Sequence, residues 1–220
     1  MSPNQQIKYQ MKKLNALLII SLIAVSAVKV NAQKYTEGDK NLSFLAGQKL
    51  INIEYNYDNM MVGKKTEEEY KKGKIADFNA KVPGKGDKWA KKWVDNRQAV
   101  YEPMFEELIN KIMTKAKMDV KLGTGQTAAK YTLLVHTTLT EPGFTIPMVM
   151  KVNPYCNFEF SWIENSSKKV MAKGTLMKVA GVVMADNDWE FDPANRIKEC
   201  YAKAGKVVGK SMEKALKPKK

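Results

Sequence analysis

Apolar and polar residues alternate strictly between Tyr155 and Trp162, and this pattern is the clearest structural signal in the chain. A period of two is typical of a half-buried β-strand. The polar stretch 164–168 contains Asn and Ser, whose side chains bond nearby backbone groups in turns, so we predict a hairpin over 155–178. Its apolar face holds Cys156, Phe158, Phe160 and Trp162, and its polar face holds Tyr155, Asn157, Glu159 and Ser161.

Similar alternation predicts strands over 49–58 and 131–140. Thr66 followed by three glutamates predicts a helix that runs to about Lys81, because Thr is a good N-cap and acids suit the start of a helix. Apolar residues at three- and four-residue spacing predict a second helix over 88–117. Asp192-Pro193 predicts the start of a last helix.

The order of these elements is strand, helix, helix, strand, hairpin, helix. Strands and helices that mix in this way predict an α+β fold. Strands of a parallel sheet covered on both faces would be continuous apolar runs, so the alternation favours antiparallel pairing. We therefore expect a mainly antiparallel sheet of four to five strands with helices packed on one face.

The N-terminal segment has the three parts of a secretory signal peptide. Lys12 and Lys13 precede the apolar run 14–25, and Val30-Asn31-Ala32 forms a small-x-small cleavage site. We predict a signal peptide over 1–32, with Met11 as an alternative start, and a single exported domain, periplasmic or secreted, over 33–220 with a frayed basic tail. The alternative is an uncleaved anchor, although the run is shorter than the about 20 residues of a membrane span.

The chain is basic, with 37 Lys and Arg against 23 Asp and Glu. An exported basic protein favours anionic partners such as acidic polymers, although a solvated lysine-rich surface explains the charge equally simply. Lysines cluster at 64–65, 71–74, 88–92 and 217–220. We do not expect nucleic-acid binding, because export removes the usual substrate and the chain has no zinc finger or aromatic RNA-binding motif.

The mature chain has two cysteines, Cys156 and Cys200, and both lie on apolar faces of predicted elements. Export permits a disulfide between them, if the last helix covers the hairpin. Two buried free thiols are the alternative, since free cysteine is among the most buried residue types.

A resemblance to a known class rests on three segments. Residues 129–135 resemble the Ala-Asp-Tyr-apolar strand of small periplasmic modules, the TolB amino-terminal-like and LpoB-like accessory domains of the bacterial envelope. Residues 166–172 are similar to the turn that follows in those modules, and the helix around Tyr201 and Gly205 is similar to their closing helix. The resemblance implies a non-catalytic accessory role and carries over no functional residues.

Motifs that carry chemistry in other proteins are incomplete in this chain. Residues 123–128 match the letters of the dinucleotide fingerprint, but a helix precedes them and a strand follows, which is the wrong order for binding pyrophosphate. His136 is the single histidine, and no cysteine cluster completes a zinc site. Asp186 and Asp188 lack the Gly and distal Glu of a calcium loop. We therefore predict no catalytic residue, cofactor or metal.

The resulting hypothesis is an exported, non-catalytic binding or accessory protein of the bacterial cell envelope, with an envelope protein or an anionic polymer as its partner. If the last helix covers the apolar hairpin face, Tyr155, Asn157, Glu159 and Ser161 form the binding face. Trp189 either joins that face or packs against the last helix as a hydrophobic staple. The alternatives are an exported hydrolase that uses Asp and Glu, and a peripheral binder of anionic surfaces through lysines.

Overall fold

The computed structural model describes residues 37–38, 41–146, 150–181 and 193–217. The predicted signal peptide, the cluster at 186–189 and the tail beyond Lys217 lie outside these residues. The strands are β1 Glu37–Gly38, β2 Leu50–Asn56, β3 Met61–Val62, β4 Lys65–Thr66, β5 Lys121–Gly123, β6 Tyr131–Glu141, β7 Phe144–Ile146, β8 Met150–Val152, β9 Tyr155–Glu164 and β10 Val170–Ala180. The helices are a 3-10 helix Ser43–Leu45, α1 Glu67–Asn79, α2 Lys85–Asn96, a π-helix Arg97–Tyr101, α3 Glu102–Lys115 and α4 Pro193–Leu216. Within the described ranges, none of these helices is long and apolar enough to cross a membrane.

Eight of the described strands form one mixed sheet. Six of them follow the order β1-β10-β9-β6-β2-β5, and β3 pairs with β4 and with the end of β6. β2 runs parallel to β5 and β6, and β3 runs parallel to β6, whereas β6, β9, β10 and β1 are antiparallel neighbours. The fold is α+β, but the prediction of a mainly antiparallel sheet of four to five strands is wrong.

The error lies in the direction assigned to β2. Its alternation is real, because Ile51 and Ile53 are fully buried and Glu54 is exposed. Alternation shows that one face of a sheet is uncovered, and it carries no information about the direction of the neighbouring strand. The chain between β2 and β6 passes through three α-helices, which is long enough for a crossover that brings β6 back parallel to β2.

The core lies between one face of the sheet and the helices α3 and α4. Phe105 of α3 stacks on Phe160 of β9 with 6.2 Å between ring centroids, and Tyr201 of α4 meets Phe158 edge-to-face at 4.9 Å. A Cβ atom on Gly205 would lie 2.3 Å from the carbonyl oxygen of Phe105, so glycine is needed for the two helices to approach this closely. The last helix therefore covers the apolar face of the hairpin, which is the condition for its polar face to be the one left open.

Cys156 of β9 and Cys200 of α4 are both fully buried, and both are free thiols. Burial raises the pKa of Cys156, and the neighbouring Cys200 raises it further. The two cysteines therefore lie together, as a disulfide would require, but the bridge that export would permit is not formed. The alternative prediction of two buried free thiols describes the structure.

A π-helix, Arg97–Tyr101, interrupts the helical stretch predicted over 88–117. Pro103 follows this segment by two residues and has no N–H to donate to the carbonyl group four residues earlier. The wider π-helical turn lies at this gap in the regular hydrogen bonding. α2 and α3 are therefore two helices with different surroundings: α3 lies in the core, and α2 packs on α1.

α1 and α2 form a helical hairpin, which together with Lys64 and Lys65 we call the basic arm, residues 64–96. The predicted start of α1 is confirmed, because the Thr66 hydroxyl accepts from the Glu69 N–H at 3.2 Å and the Glu69 carboxylate accepts from the Thr66 N–H at 2.9 Å. Trp89 and Trp93 stack at 5.6 Å. Their other ring partners are Tyr70 and Phe78 of α1, so the two tryptophans pack inside the helical hairpin.

A buried charged cluster joins the basic arm to the rest of the domain. Glu67 is 7% exposed, and its carboxylate accepts hydrogen bonds from the Trp93 indole at 2.6 Å and from the Arg97 guanidinium. The Arg97 guanidinium also lies over the Tyr57 ring, 4.1 Å from its centroid. The Tyr57 hydroxyl in turn donates to the Glu102 carboxylate at 3.0 Å. Two charges that are largely withdrawn from water are thereby paired and hydrogen-bonded, as buried charges must be.

Candidate functional site

In the described part of the chain, no helix covers the face of the sheet opposite α3 and α4, and we call it the open face. The predicted binding residues Tyr155, Asn157, Glu159 and Ser161 alternate with the buried residues of β9 and so lie on this face. Glu159 is exposed, and the other three are half-buried. Trp189, the fifth predicted residue, lies outside the described residues.

Two of these predicted residues are engaged within the sheet. The Asn157 side-chain oxygen accepts from the Lys178 N–H at 2.7 Å, next to the irregular pairing between Leu176 and Val179. Glu159 lies 3.7 Å from Nδ1 of His136, whose Nε2 is 2.9 Å from the Asp58 carbonyl oxygen and donates to it. The polar side chains at this end of the open face therefore interact mainly with one another and with the backbone.

A polar groove with a volume of about 400 Å³ lies at the other end of the open face. It begins at Thr132, which pairs with Ile163, two residues beyond Ser161. Three segments that are distant in sequence form its walls: β2, the loop between β5 and β6, and the turn between β9 and β10. The groove is lined by Asn52, Ile53, Glu54, Thr124, Gly125, Gln126, Thr127, Thr132, Asn165 and Lys168.

Thr132 is the central residue of the groove and is only 3% exposed. Its hydroxyl donates to the Asn165 side-chain oxygen at 2.7 Å and accepts from the Asn52 side-chain amide at 3.3 Å. The same Asn52 amide group donates to Glu54 at 3.1 Å. These contacts fix three polar side chains from three separate segments in one arrangement, and this arrangement depends on the parallel pairing of β2 with β6.

The loop at 124–127 is held from both of its sides. The Gln126 N–H donates to the Asn52 side-chain oxygen at 3.0 Å, while the Thr124 N–H and hydroxyl donate to the Glu106 carboxylate of α3 at 3.1 and 2.7 Å. Gly125 has a φ of +77°, which favours glycine at this turn. The glycine pattern that resembles a dinucleotide fingerprint therefore builds one wall of the groove, and a strand follows it, as the sequence indicated.

The turn after β9 closes the groove on the opposite side. The Asn165 side-chain amide donates to the Ala129 carbonyl at 2.8 Å, and its backbone N–H donates to the Lys130 carbonyl at 2.9 Å. The neighbouring Glu164 has a lowered pKa, chiefly because the Ser167 hydroxyl donates to its carboxylate and, to a lesser degree, because of Lys130. Lys168 is exposed at the groove's rim and supplies a positive charge there.

The groove offers mostly neutral groups that can both donate and accept hydrogen bonds. Amide and hydroxyl side chains have this property, and so do the hydroxyl groups of a sugar or other polyol. Glu54 is the one carboxylate among the lining residues, and Lys168 is the one ammonium group. Within the described part of the chain, no three His, Cys, Asp or Glu side chains come close enough to hold a metal ion.

Sequence reasoning missed the groove, although it identified the strands and the turn that build it. Thr132 and Asn165 were recognised only as a strand residue and a turn residue, and Asn52 as a polar position in an alternating strand. The signal that could have indicated the site is the coincidence of polar residues at one end of two strands. That coincidence becomes visible only when β2 and β6 are aligned in parallel, with Asn52 opposite Thr132.

Comparison with known proteins adds little to this description. No protein-family model matches the chain, and no curated protein matches it. Among solved structures, the chain is similar to a PelC dodecamer from Paraburkholderia phytofirmans, with 10% identity, 76% of this chain and 96% of that chain covered, and a TM-score of 0.36. It is also similar to a neuraminyllactose-binding hemagglutinin homolog from Helicobacter pylori, with 10% identity, coverage of 76% and 87%, and a TM-score of 0.28. Both TM-scores are low, so neither likeness bears on the function or assembly of this chain.

Proposed function

We propose that this chain is an exported, non-catalytic binding protein of the bacterial cell envelope and that its groove holds a small, neutral, polyhydroxylated ligand. The observation that carries the proposal is the groove itself, a cavity of about 400 Å³ lined mainly by amide and hydroxyl side chains. Its volume lies in the range of about 300–1,000 Å³ that is usual for small-molecule sites.

The groove is held in place before any ligand arrives, and this favours binding. Asn52, Thr132 and Asn165 are fixed by hydrogen bonds to one another and to the backbone. A ligand then meets groups that are already oriented, so little side-chain freedom is lost on association. Binding strength in such a site comes from matched hydrogen bonds, because a polar group left unmatched after burial weakens the complex.

The alternative of an exported hydrolase finds less support in this geometry. Glycoside hydrolysis uses two carboxyl groups that face each other across the scissile bond. Glu54 is the one carboxylate that lines the groove. Glu102 and Glu106 are close together on α3, but Tyr57 and Thr124 occupy their carboxylates, and neither lines the groove.

Export and an envelope location belong to the same proposal. They rest on the signal-peptide pattern over residues 1–32 and on the resemblance to small envelope accessory modules. A partner protein in the envelope would contact the remainder of the open face, where Glu159 is exposed beside half-buried Ser161.

The direct test is an NMR titration of the isotope-labelled chain with neutral mono- and disaccharides as probes. We expect the amide signals of Asn52, Gln126 and Asn165 to shift with at least one of these sugars. Thr132→Val should abolish the shifts, whereas Thr138→Val, at the other end of the same strand, should leave them in place. Shifts confined to other surfaces, or none with any sugar, would contradict the proposal, and release of a cleaved sugar would favour the hydrolase.

A further inference from the structure

The fold brings together three lysine clusters that are separate in the sequence. Residues 64–65, 71–74 and 88–92 all belong to the basic arm. The excess of positive over negative charge is largest around the turn between α1 and α2, which is the end of the arm distant from the sheet. Residues 78–92 contain five lysines and a single acid, Asp87. A surface of this kind attracts anionic partners over a distance of about one Debye length.

The two sides of α2 differ in chemistry. Lys85, Lys88 and Lys92 follow one another at three- and four-residue spacing, which places them along one side of the helix, and all three are exposed. Trp89 and Trp93 lie towards α1, where they meet Tyr70 and Phe78. The aromatic contacts inside the hairpin therefore hold a row of lysines at its surface.

The tip of the arm exposes an apolar side chain among these lysines. Val82 is 52% exposed, the largest exposed fraction among the large apolar residues of the described chain. It lies between Lys81 and Pro83, with Lys85 three residues further on. Segments that bind at a bilayer surface likewise combine lysines with apolar side chains that enter the headgroup region.

The tip is also rigid. The Gly86 N–H donates to the Asn79 side-chain oxygen at 2.7 Å, and the Asn79 amide donates to Asp87 at 3.0 Å, so the two helices are tied where they meet. A Cβ atom on Gly86 would lie 2.3 Å from the Ile75 carbonyl oxygen, and Gly84 has a φ of +76°. Both glycines are thus required for this turn, which holds Val82 in its exposed position.

We infer that the tip of the basic arm docks on the surface of an anionic lipid bilayer, with Val82 entering the headgroup region and Lys81, Lys85 and Lys88 lying at the lipid phosphates. Charge complementarity selects an anionic surface. The exposed valine selects lipid over an acidic polysaccharide, because a hydrated polymer offers no apolar phase in which Val82 could be buried. The inference does not depend on the groove, which uses other residues at the opposite end of β6.

The test is sedimentation of the full chain with vesicles of phosphatidylcholine alone and with vesicles that also contain phosphatidylglycerol. We expect binding to the anionic vesicles that weakens as salt is added. Lys81→Gln, Lys85→Gln and Lys88→Gln together should reduce it by about a hundredfold, since each lysine near such a surface contributes about a factor of five. A control set on α3 and α4, Lys111→Gln, Lys206→Gln and Lys210→Gln, should have little effect. The N-terminal segment is the same in every variant, so differences between them report the lysines.

Two further variants separate lipid from polymer. Val82→Ser should weaken binding to anionic vesicles but not binding to soluble polygalacturonate. An environment-sensitive fluorophore on Val82→Cys should shift to the blue on anionic vesicles, and the same fluorophore on Ser166→Cys, at the groove end, should not. Equal losses in the two lysine sets, or a Val82→Ser variant that binds vesicles like the wild type, would overturn the inference.

Discussion

The two ends of β6 differ in whether the structure around them is built from distant or from neighbouring segments of the chain. At the groove end, Thr132 and its partners are polar, and their hydrogen bonds join three distant segments of the chain. At the other end, β6 pairs with β3, which leads into the basic arm. The arm is built from residues that are close in sequence, and aromatic rings fill its interior.

This difference indicates which parts of the molecule depend on the whole fold. The groove exists only when β2, β6 and β9 are in register, so any loss of the core should remove it. The arm is attached through the π-helix that continues α2 into α3, through the Glu67–Arg97 pair and through the short strands β3 and β4. Local opening with the sheet intact is therefore available to the arm and not to the groove.

The largest effect is expected for Phe160→Ala, which removes a ring that is 1% exposed at the centre of the core. We expect a loss of about 3–5 kcal/mol in the free energy of unfolding, from lost burial and the cavity left behind. Glu159→Ala, the exposed neighbour on the open face, should cost less than about 0.5 kcal/mol. Denaturant unfolding followed by circular dichroism measures both, and similar losses in the two variants would contradict this assignment of the core.

Arg97→Leu should have the next largest effect, confined to the arm. It leaves the Glu67 carboxylate buried without its cation, which costs about 3 kcal/mol. Amide hydrogen exchange should therefore rise in α1 and α2 while β9 stays protected. Lys91→Leu, which removes an exposed pair with Asp95, serves as the control and should cost less than about 0.5 kcal/mol. An equal rise in exchange across β9 would mean that the arm cannot open by itself.

Thr132→Val should cost about 1–2 kcal/mol, because the Asn165 oxygen and the Asn52 amide lose their partner in a partly buried site. Thr138→Val removes a longer hydrogen bond, 3.5 Å to the Asn157 carbonyl, and should cost less than about 0.5 kcal/mol. Thermal unfolding of the two variants gives the comparison. If Thr138→Val proves the more damaging, Thr132 is not what holds the groove together.

The smallest effect concerns pH and Glu102, beside the arm's attachment. Burial raises the pKa of Glu102 above its ordinary value of 4.5, while the Tyr57 hydroxyl works in the opposite direction. The folded chain then binds the proton more tightly than the unfolded chain, so this contribution to stability is fully present below about pH 4.5 and is lost as the pH rises through the raised value. Glu102→Gln should remove this loss.

A second variant sharpens the pH test. Tyr57→Phe deletes the hydrogen bond that lowers the pKa of Glu102, so the loss of stability should move to higher pH. Denaturant unfolding between about pH 4 and about pH 7 measures both variants. If the free energies of unfolding of the wild type and of Glu102→Gln change in parallel over this pH range, Glu102 does not titrate as described.

Most individual elements could be predicted from the sequence, whereas their pairing could not. The hairpin over 155–178 appears as β9 and β10, and the predicted cap at Thr66 starts α1. These features depend on local patterns. The parallel pairing of β2 with β6 joins residues about 80 positions apart, and alternation is the same whichever way the neighbouring strand runs.

The same limit applies to the candidate site. The predicted binding face was placed on β9 because its polar residues could be read directly from the alternation. The groove needs Asn52, Thr132 and Asn165 side by side, and no local pattern connects them. The basic arm lies between these cases, because its lysine clusters could be seen in the sequence, but their assembly on one hairpin depends on the packing of α1 against α2.

The most direct measurement is one pair of NMR titrations on the same labelled chain, first with the neutral sugars and then with small bicelles that contain phosphatidylglycerol. If the groove and the arm tip are separate binding surfaces, a sugar should shift the amide signals of Asn52, Gln126 and Asn165. It should leave the amide signals of Lys81, Val82 and Lys85 unchanged. The bicelles should have the opposite effect on the two sets. Sugar-induced shifts at the arm, or bicelle-induced shifts at the groove, would contradict the assignment of separate ligands to the two ends of β6.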